Sequence, residues 1–296
     1  MLNLTDDKYS DGKDDKWLDL ATSSRMDKVQ ELIDLKDRLE ERYKDYDGII
    51  EDYSTQPLDS EFTDSKDLLK NTYGSPPADL KEKITALRHN HGLLQCAFCG
   101  RPVKTRILDH FIPKEKWPEF SIYPNNLVQQ CDSCSSIKWQ HYYCNEDSIV
   151  KYIHPKYFNL LSRVNISIDI DIKDNLNLNN AILKPKFKVT GETTDIEKTR
   201  IKAHIKNLKI SSEIESYVYT KYNDIINEAR KKKTNYNVLL TELVNQLSRH
   251  DVNSNWEVAL YKAMLEEHNI VTFFDINKPT FNVIDIEEPE GEYIFI

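Results

Sequence analysis

Apolar residues recur at a helical period between Ser24 and Tyr43, where Met26, Val29, Leu32, Ile33, Leu35, Leu39 and Tyr43 form one stripe, so this stretch reads as an amphipathic helix. Ser24 and Asp27 supply a capping start and Gly48 an end. Ser54 to Ser60 reads as a connection, and a second helix is expected near Asp64 to Tyr73. Gly74-Ser-Pro-Pro77 breaks the pattern, and a third helix suits Ala78 to Arg88. From Val103 the period changes to that of a strand, which runs to Asp109 and His110 before Pro113 stops the pairing. Strict alternation returns between Asn165 and Lys188, predicting an antiparallel hairpin with its turn at Asn175 to Asn180. A helical tract then begins at Thr194 and runs to about His268, interrupted near Arg230-Lys-Lys-Lys233 and Asp251 to Asn255. The opening residues to Lys16 are polar, which predicts disorder, and the acidic end, Ile284 to Ile296, carries an apolar tip suited to docking on the body or on a partner.

Composition places these elements in a well-folded, helix-rich chain of 296 residues, 39% hydrophobic and 30% charged. No apolar run approaches the roughly 18 residues that span a bilayer, which argues against membrane residence. The polar opening Met1 to Asp7 is unlike a secretory signal, so a reducing cytoplasm is expected. The net charge of −9 is uneven: residues 1–95 hold 22 acidic against 14 basic side chains, so nucleic-acid contact is not expected from this region. Basic residues gather in the middle instead, at Lys104, Arg106, Lys114 and Lys116, with Arg101 nearby and Trp117, Phe120 and Tyr123 interleaved. They make a candidate surface for a phosphate backbone, or else a solvated strand and loop.

Two cysteine pairs bracket that basic region, Cys96-Ala-Phe-Cys99 and Cys131-Asp-Ser-Cys134, with 31 residues between them. Paired C-x2-C knuckles suit a tetrahedral four-thiolate zinc site that closes one loop, a structural metal. The alternatives are two disulfides, which a reducing compartment disfavours, or four unrelated buried thiols. Cys144 is left over and reads as a buried apolar side chain. His89 and His91 alternate like a metal pair but read as helix-end and loop residues, and neither His141 nor His154 is needed once four sulfurs complete the shell.

Inside the zinc loop, Asp109 and His110 are strand neighbours and point opposite ways. A carboxylate can hold a hard divalent cation while an imidazole activates water, a division of labour suited to phosphodiester hydrolysis. On Cys96, Cys99, Asp109, His110, Asn126, Cys131, Cys134 and Lys138 the chain resembles the HNH endonuclease family, whose ββα-metal site carries such residues. The string Leu108-Asp-His-Phe-Ile-Pro through Asn125-Asn-Leu-Val128, followed by Cys-x-x-Cys-x-x-x-Lys-Trp, is similar to zinc-containing HNH proteins of bacterial phage-defence loci. A weaker likeness continues through Ile153 to Phe158 and Val252 to Tyr261.

The resemblance implies a metal-dependent DNA endonuclease, the effector of an anti-phage system. His110 is then the general base, Asp109 the ligand of a catalytic Mg²⁺ or Mn²⁺, and Asn126 the residue that bridges loop and strand and orients the His110 ring. Lys138 is expected to contact a phosphate. The family commonly has Asn or His after the second knuckle, where this chain has Ser135; Ser135, or Asp132 three residues earlier, is then the second metal-side residue. Implied partners are double-stranded DNA and a companion ATPase, as in Septu-type systems. RNA as substrate, or an inactive zinc-stabilised module that binds nucleic acid or protein, are the competing readings. The expected fold is α+β, a zinc-stapled ββα module at 77–160 between an acidic helical region at 1–76, read as regulatory or partner-docking, and a hairpin plus helices at 161–296.

Overall fold

Helical periodicity and the alternating tracts build a mixed α+β chain, seen in a computed structural model that describes residues 1–9, 16–145, 147–173, 177–231, 235–247, 254–275 and 291–295. The chain divides into two units: residues 3–98 with 103–159, and residues 1–2 with 99–102 and 160–296.

The first unit opens with α1 (Trp17–Thr22), α2 (Val29–Lys44), α3 (Tyr46–Glu51), α4 (Lys66–Gly74) and α5 (Ala78–His89). Helix α2 starts later than the capping pattern predicts. Ser24 Oγ donates to the Ala21 carbonyl at 2.6 Å and so closes α1, and Lys28 sits in the left-handed region at φ 58°, where no helix can propagate. The helix also ends before Gly48: Asp45 N–H tightens onto the Arg42 carbonyl, and Gly48 lies inside α3. The opening of this unit is ordered through residue 9, with Leu4 buried and Tyr9 N–H bonded to Asn125 Oδ1 at 2.9 Å; of the segment expected to be disordered, residues 10–15 lie outside the described residues.

Strand β1 (Ile107–His110) pairs antiparallel with β2 (Leu127–Gln130), Ile107 opposite Gln130 and His110 opposite Leu127. The strand predicted from Val103 is shortened because β2 has only four residues to offer before Cys131 turns into α6 (Asp132–Lys138). A two-residue ladder of β3 (Tyr143–Cys144) and β4 (Ile149–Val150) follows. Trp17, Leu32, Leu39, Leu69 and Ile84 of the helices share one buried cluster with Leu108, Ile122 and Leu127. The turn at Gly74-Ser-Pro-Pro77 separates two helices that share this core, and residues 3–98 and 103–159 fall in one unit.

Lys156 is wholly buried here, its ammonium donating to the Pro124 carbonyl at 3.1 Å and lying 5.5 Å from the Tyr9 ring. Burial pushes its pKa down to about 8 from 10.5. The folded state therefore releases this proton at lower pH than the unfolded chain does, so stability rises with pH across that interval. Between pH 7 and 9.5 the gain is expected to be about 2 kcal/mol. Melts of wild type and Lys156→Met at both pH values check it: the increment should vanish in the variant.

In the second unit β5 (Val164–Asp171) and β6 (Ile182–Thr190) form the predicted hairpin, part of whose turn, 174–176, lies outside the described residues. The acidic C-terminus adds what periodicity did not foretell, a third antiparallel strand β7 (Gly291–Ile294) on β6. Pro185 falls beyond the stretch β7 covers, so its missing N–H leaves no gap in the second ladder. Thr194 and Glu197 form a full capping box for α7 (Asp195–Asn207), which is followed by α8 (Ile210–Lys231), α9 (Tyr236–Leu247), α10 (Trp256–Glu266) and α11 (His268–Asp275). Of the expected interruption at 230–233, Arg230 and Lys231 are the last residues of α8; Ser254 and Asn255 precede α10; and 232–234, 251–253 and 284–290 lie outside the described residues. Among the described residues no helix is long and apolar enough to cross a membrane.

Candidate functional site

Cys96, Cys99, Cys131 and Cys134 are all buried, and their sulfurs lie within 4.8 Å of one another. Tetrahedral zinc with Zn–S bonds of about 2.3 Å sets sulfurs about 3.8 Å apart. The Cys96 and Cys134 sulfurs are 4.0 Å apart, so the donor set fits the ion and can hold zinc. Each knuckle turns its backbone toward a sulfur: Arg101 N–H donates to Cys99 Sγ at 3.5 Å, past Gly100 at φ 78°, and Cys131 N–H donates to Cys96 Sγ at 3.4 Å. Amide donors and the start of α6 at Cys131 favour the thiolate form that a metal requires. Cys144 stands apart, half-exposed rather than buried, with its thiol donating to Asp147 Oδ2 at 3.3 Å. His91 is held in its loop by Leu93 N–H and by the Thr105 carbonyl, and His154 is buried on the Asn125 carbonyl at 2.9 Å, so neither joins the cysteines.

Asp109 and His110 close β1, and the chain then loops back through Ser121 to β2. That loop is built around Asn126, which is wholly buried. Its Nδ2 donates to the Ile112 and Phe120 carbonyls, both at 3.0 Å, while Oδ1 accepts from Ile112 N–H at 2.7 Å and Tyr46 O–H at 2.9 Å. The amide's four bonds are thus used up, and it has no capacity left for the His110 ring. The expectation that Asn126 orients the ring directly is corrected: the partner of His110 Nε2 is the Ser121 carbonyl at 2.9 Å, one residue beyond the Phe120 carbonyl that Asn126 holds. A carbonyl only accepts, so Nε2 carries the proton and Nδ1 keeps the lone pair. Burial, followed by the Lys114 charge, lowers the ring's pKa to about 3, which keeps it neutral. Replacing Asn126 with alanine strands buried groups at Ile112, Phe120 and Tyr46. At about 1–3 kcal/mol for each group left unsatisfied, a loss of about 3 kcal/mol or more is expected in a urea melt.

The charges around this loop differ from those the sequence suggests. Lys138, expected to meet a phosphate, is 0% exposed; its ammonium donates to the His110 carbonyl at 2.7 Å and lies 2.8 Å from Asp109 Oδ2. Its place one turn beyond Cys134 on α6 turns it inward as an internal counter-ion. Burial raises the pKa of Asp109 and Lys138 opposes the rise. Ser135 is half-buried on the same helix and Asp132 is exposed. Lys104, Arg106 and Lys116 are exposed and Lys114 is half-exposed, whereas Trp117, Phe120 and Tyr123 are buried, so the interleaved aromatics serve the core and not a surface.

Two side chains that sequence reasoning passed over belong here. Tyr73 of α4 packs edge-on against the His110 ring with centroids 4.4 Å apart, and Arg88 of α5 donates to the Tyr73 hydroxyl at 3.2 Å. Their only signal was a position at the end of a helix, in a segment whose net acidity pointed elsewhere.

No protein-family model matches the chain, and no solved structure matches it. A stretch of 61 residues is 38% identical to protein ea31 of Escherichia phage lambda, covering 21% of this chain and 20% of that protein. The chain thus spans about a fifth of the length of the curated relative it matches.

Proposed function

We propose that this chain is a metal-dependent HNH-type endonuclease that hydrolyses DNA phosphodiester bonds, the nuclease effector of a bacterial anti-phage system. The observation that carries the reading is the placement of His110: the ring is fixed through Nε2 to the Ser121 carbonyl at 2.9 Å, and Nδ1 makes no hydrogen bond among the described residues. An imidazole so held takes a proton from an attacking water at Nδ1, and the Ser121 carbonyl steadies the imidazolium that forms. Asp109, beside it on β1, would hold the divalent cation, with Lys138 against its Oδ2 at 2.8 Å. Ser135, one turn before Lys138, would add a neutral oxygen, and Mg²⁺ commonly completes its shell with water and substrate. Such an ion supplies charge stabilisation at the scissile phosphate and the leaving oxygen. The order strand, strand, helix across β1, β2 and α6 supports a ββα arrangement. The defence role and a companion ATPase rest on the resemblance of the Leu108 to Lys138 segment.

Lys138 favours a second reading. An internal ammonium already neutralises Asp109, as a module that binds without cutting would permit. Incubation of the zinc-loaded protein with supercoiled plasmid and with total RNA, with and without Mg²⁺ or Mn²⁺, separates the two. Cation-dependent loss of plasmid supports the DNA nuclease. Loss of RNA alone moves the substrate, and cleavage of neither sinks the enzyme reading for the isolated chain.

A further inference from the structure

We propose that Arg88 and Lys114, gathered on the ring of Tyr73, form the seat for a DNA backbone phosphate beside His110. The inference rests on the nuclease reading for the identity of the anion. Tyr73 is the hub: its ring meets His110 at 4.4 Å, Lys114 Nζ lies 4.5 Å from its centroid, and its hydroxyl receives Arg88 Nη2 at 3.2 Å. That hydroxyl in turn donates to the Leu108 carbonyl at 3.1 Å, immediately before Asp109. Side chains from α4, α5 and the loop after β1 are thereby brought to the end of one strand.

The charge balance says what they await. Lys66 and Lys70 are both matched by Glu115, at 3.2 and 2.6 Å, and Lys138 is matched by Asp109. Arg88 and Lys114 are half-buried and make no ion pair with a carboxylate among the described residues. Burial pulls the Lys114 ammonium toward its neutral form and repulsion from the Lys70 and Arg88 charges adds to this, while Glu115 and Asp109 oppose it. A phosphate placed between Lys114 and Arg88 removes that repulsion. A guanidinium suits it particularly, since its planar fork matches two phosphate oxygens and Tyr73 fixes the direction of the fork in advance. The net-acidic stretch 1–95 thus supplies a substrate contact of its own through Arg88, despite its charge.

The test measures binding of a fluorescent DNA duplex to the full-length His110→Ala protein without divalent metal, so that cleavage is not needed. Adding Arg88→Gln or Lys114→Gln is expected to weaken binding roughly ten-fold each. Each is also expected to reduce the slope of log affinity against log salt by about 1. Tyr73→Phe, which keeps the ring and removes the hydroxyl holding Arg88, is expected to weaken binding less. Unchanged affinity and slope in both glutamine variants, with melting temperatures preserved, would overturn the seat even if wild type cleaves DNA. Losses in both would uphold it even if wild type cleaves nothing. Inorganic phosphate bound at these residues as tightly as duplex would also overturn it, marking a site for a free anion.

Discussion

Alanine at His110 is expected to abolish plasmid cleavage while the protein still folds and binds DNA. A positioned general base contributes about 10² to 10⁴ in rate, so residual activity should fall below detection in an assay where wild type cuts within minutes. The geometry makes the substitution a sharp one, because no second imidazole lies in the loop to replace Nδ1: His154 is buried on the Asn125 carbonyl and His91 is tied to its own loop. The structural cost is smaller. The Ser121 carbonyl loses its donor and the Tyr73 ring its neighbour, a penalty of about 1–3 kcal/mol. A melting curve and the duplex-binding assay read that part separately. Cleavage at wild-type rate by the alanine variant would remove His110 from the chemistry and with it the reading built on the ring.

Serine at Cys96 or Cys131 is expected to unfold the first unit. Zinc in a four-thiolate site contributes about 10–16 kcal/mol, as large as the whole stability of an ordinary domain at about 5–15 kcal/mol. Little else staples this segment: β1 and β2 are four residues each, and α6 has seven. Metal analysis of wild type should find one zinc per chain, and the serine variants should lose it together with the cooperative melt. A variant that releases the metal yet melts as wild type does would show that hydrophobic packing alone carries the fold.

The elements legible in the sequence were those written in local pattern. The Asn165 to Lys188 alternation and the helix start at Thr194 each depend on neighbours within a few residues, and each stands as read, while the two knuckles bring four buried sulfurs together. What escaped depends on distant partners. The strand from Val103 was cut short by the length of β2, and β7 pairs with a strand roughly a hundred positions earlier, which no period announces. The break at Gly74-Ser-Pro-Pro77 looked like a domain edge because turn residues mark turns of every kind; only the shared cluster of Leu32, Ile84 and Leu108 shows which kind this is. At the site, Lys138 read as a surface cation because composition cannot reveal which way the face of a short helix turns, and Arg88 was hidden by averaging charge over a whole region.

Asn126 bears on how related chains drift. Aspartate there would set an oxygen against the carbonyls of Ile112 and Phe120, serine is too short to span them, and glutamine is a methylene too long for a site with no exposure. Selection on folding alone therefore holds this position, whatever the protein does. On the proposed nuclease reading, a lineage that abandoned catalysis would be free to change His110 and Asp109 while Asn126 persisted. An asparagine at this point in a descendant testifies to an intact loop and says nothing about whether its trade has survived.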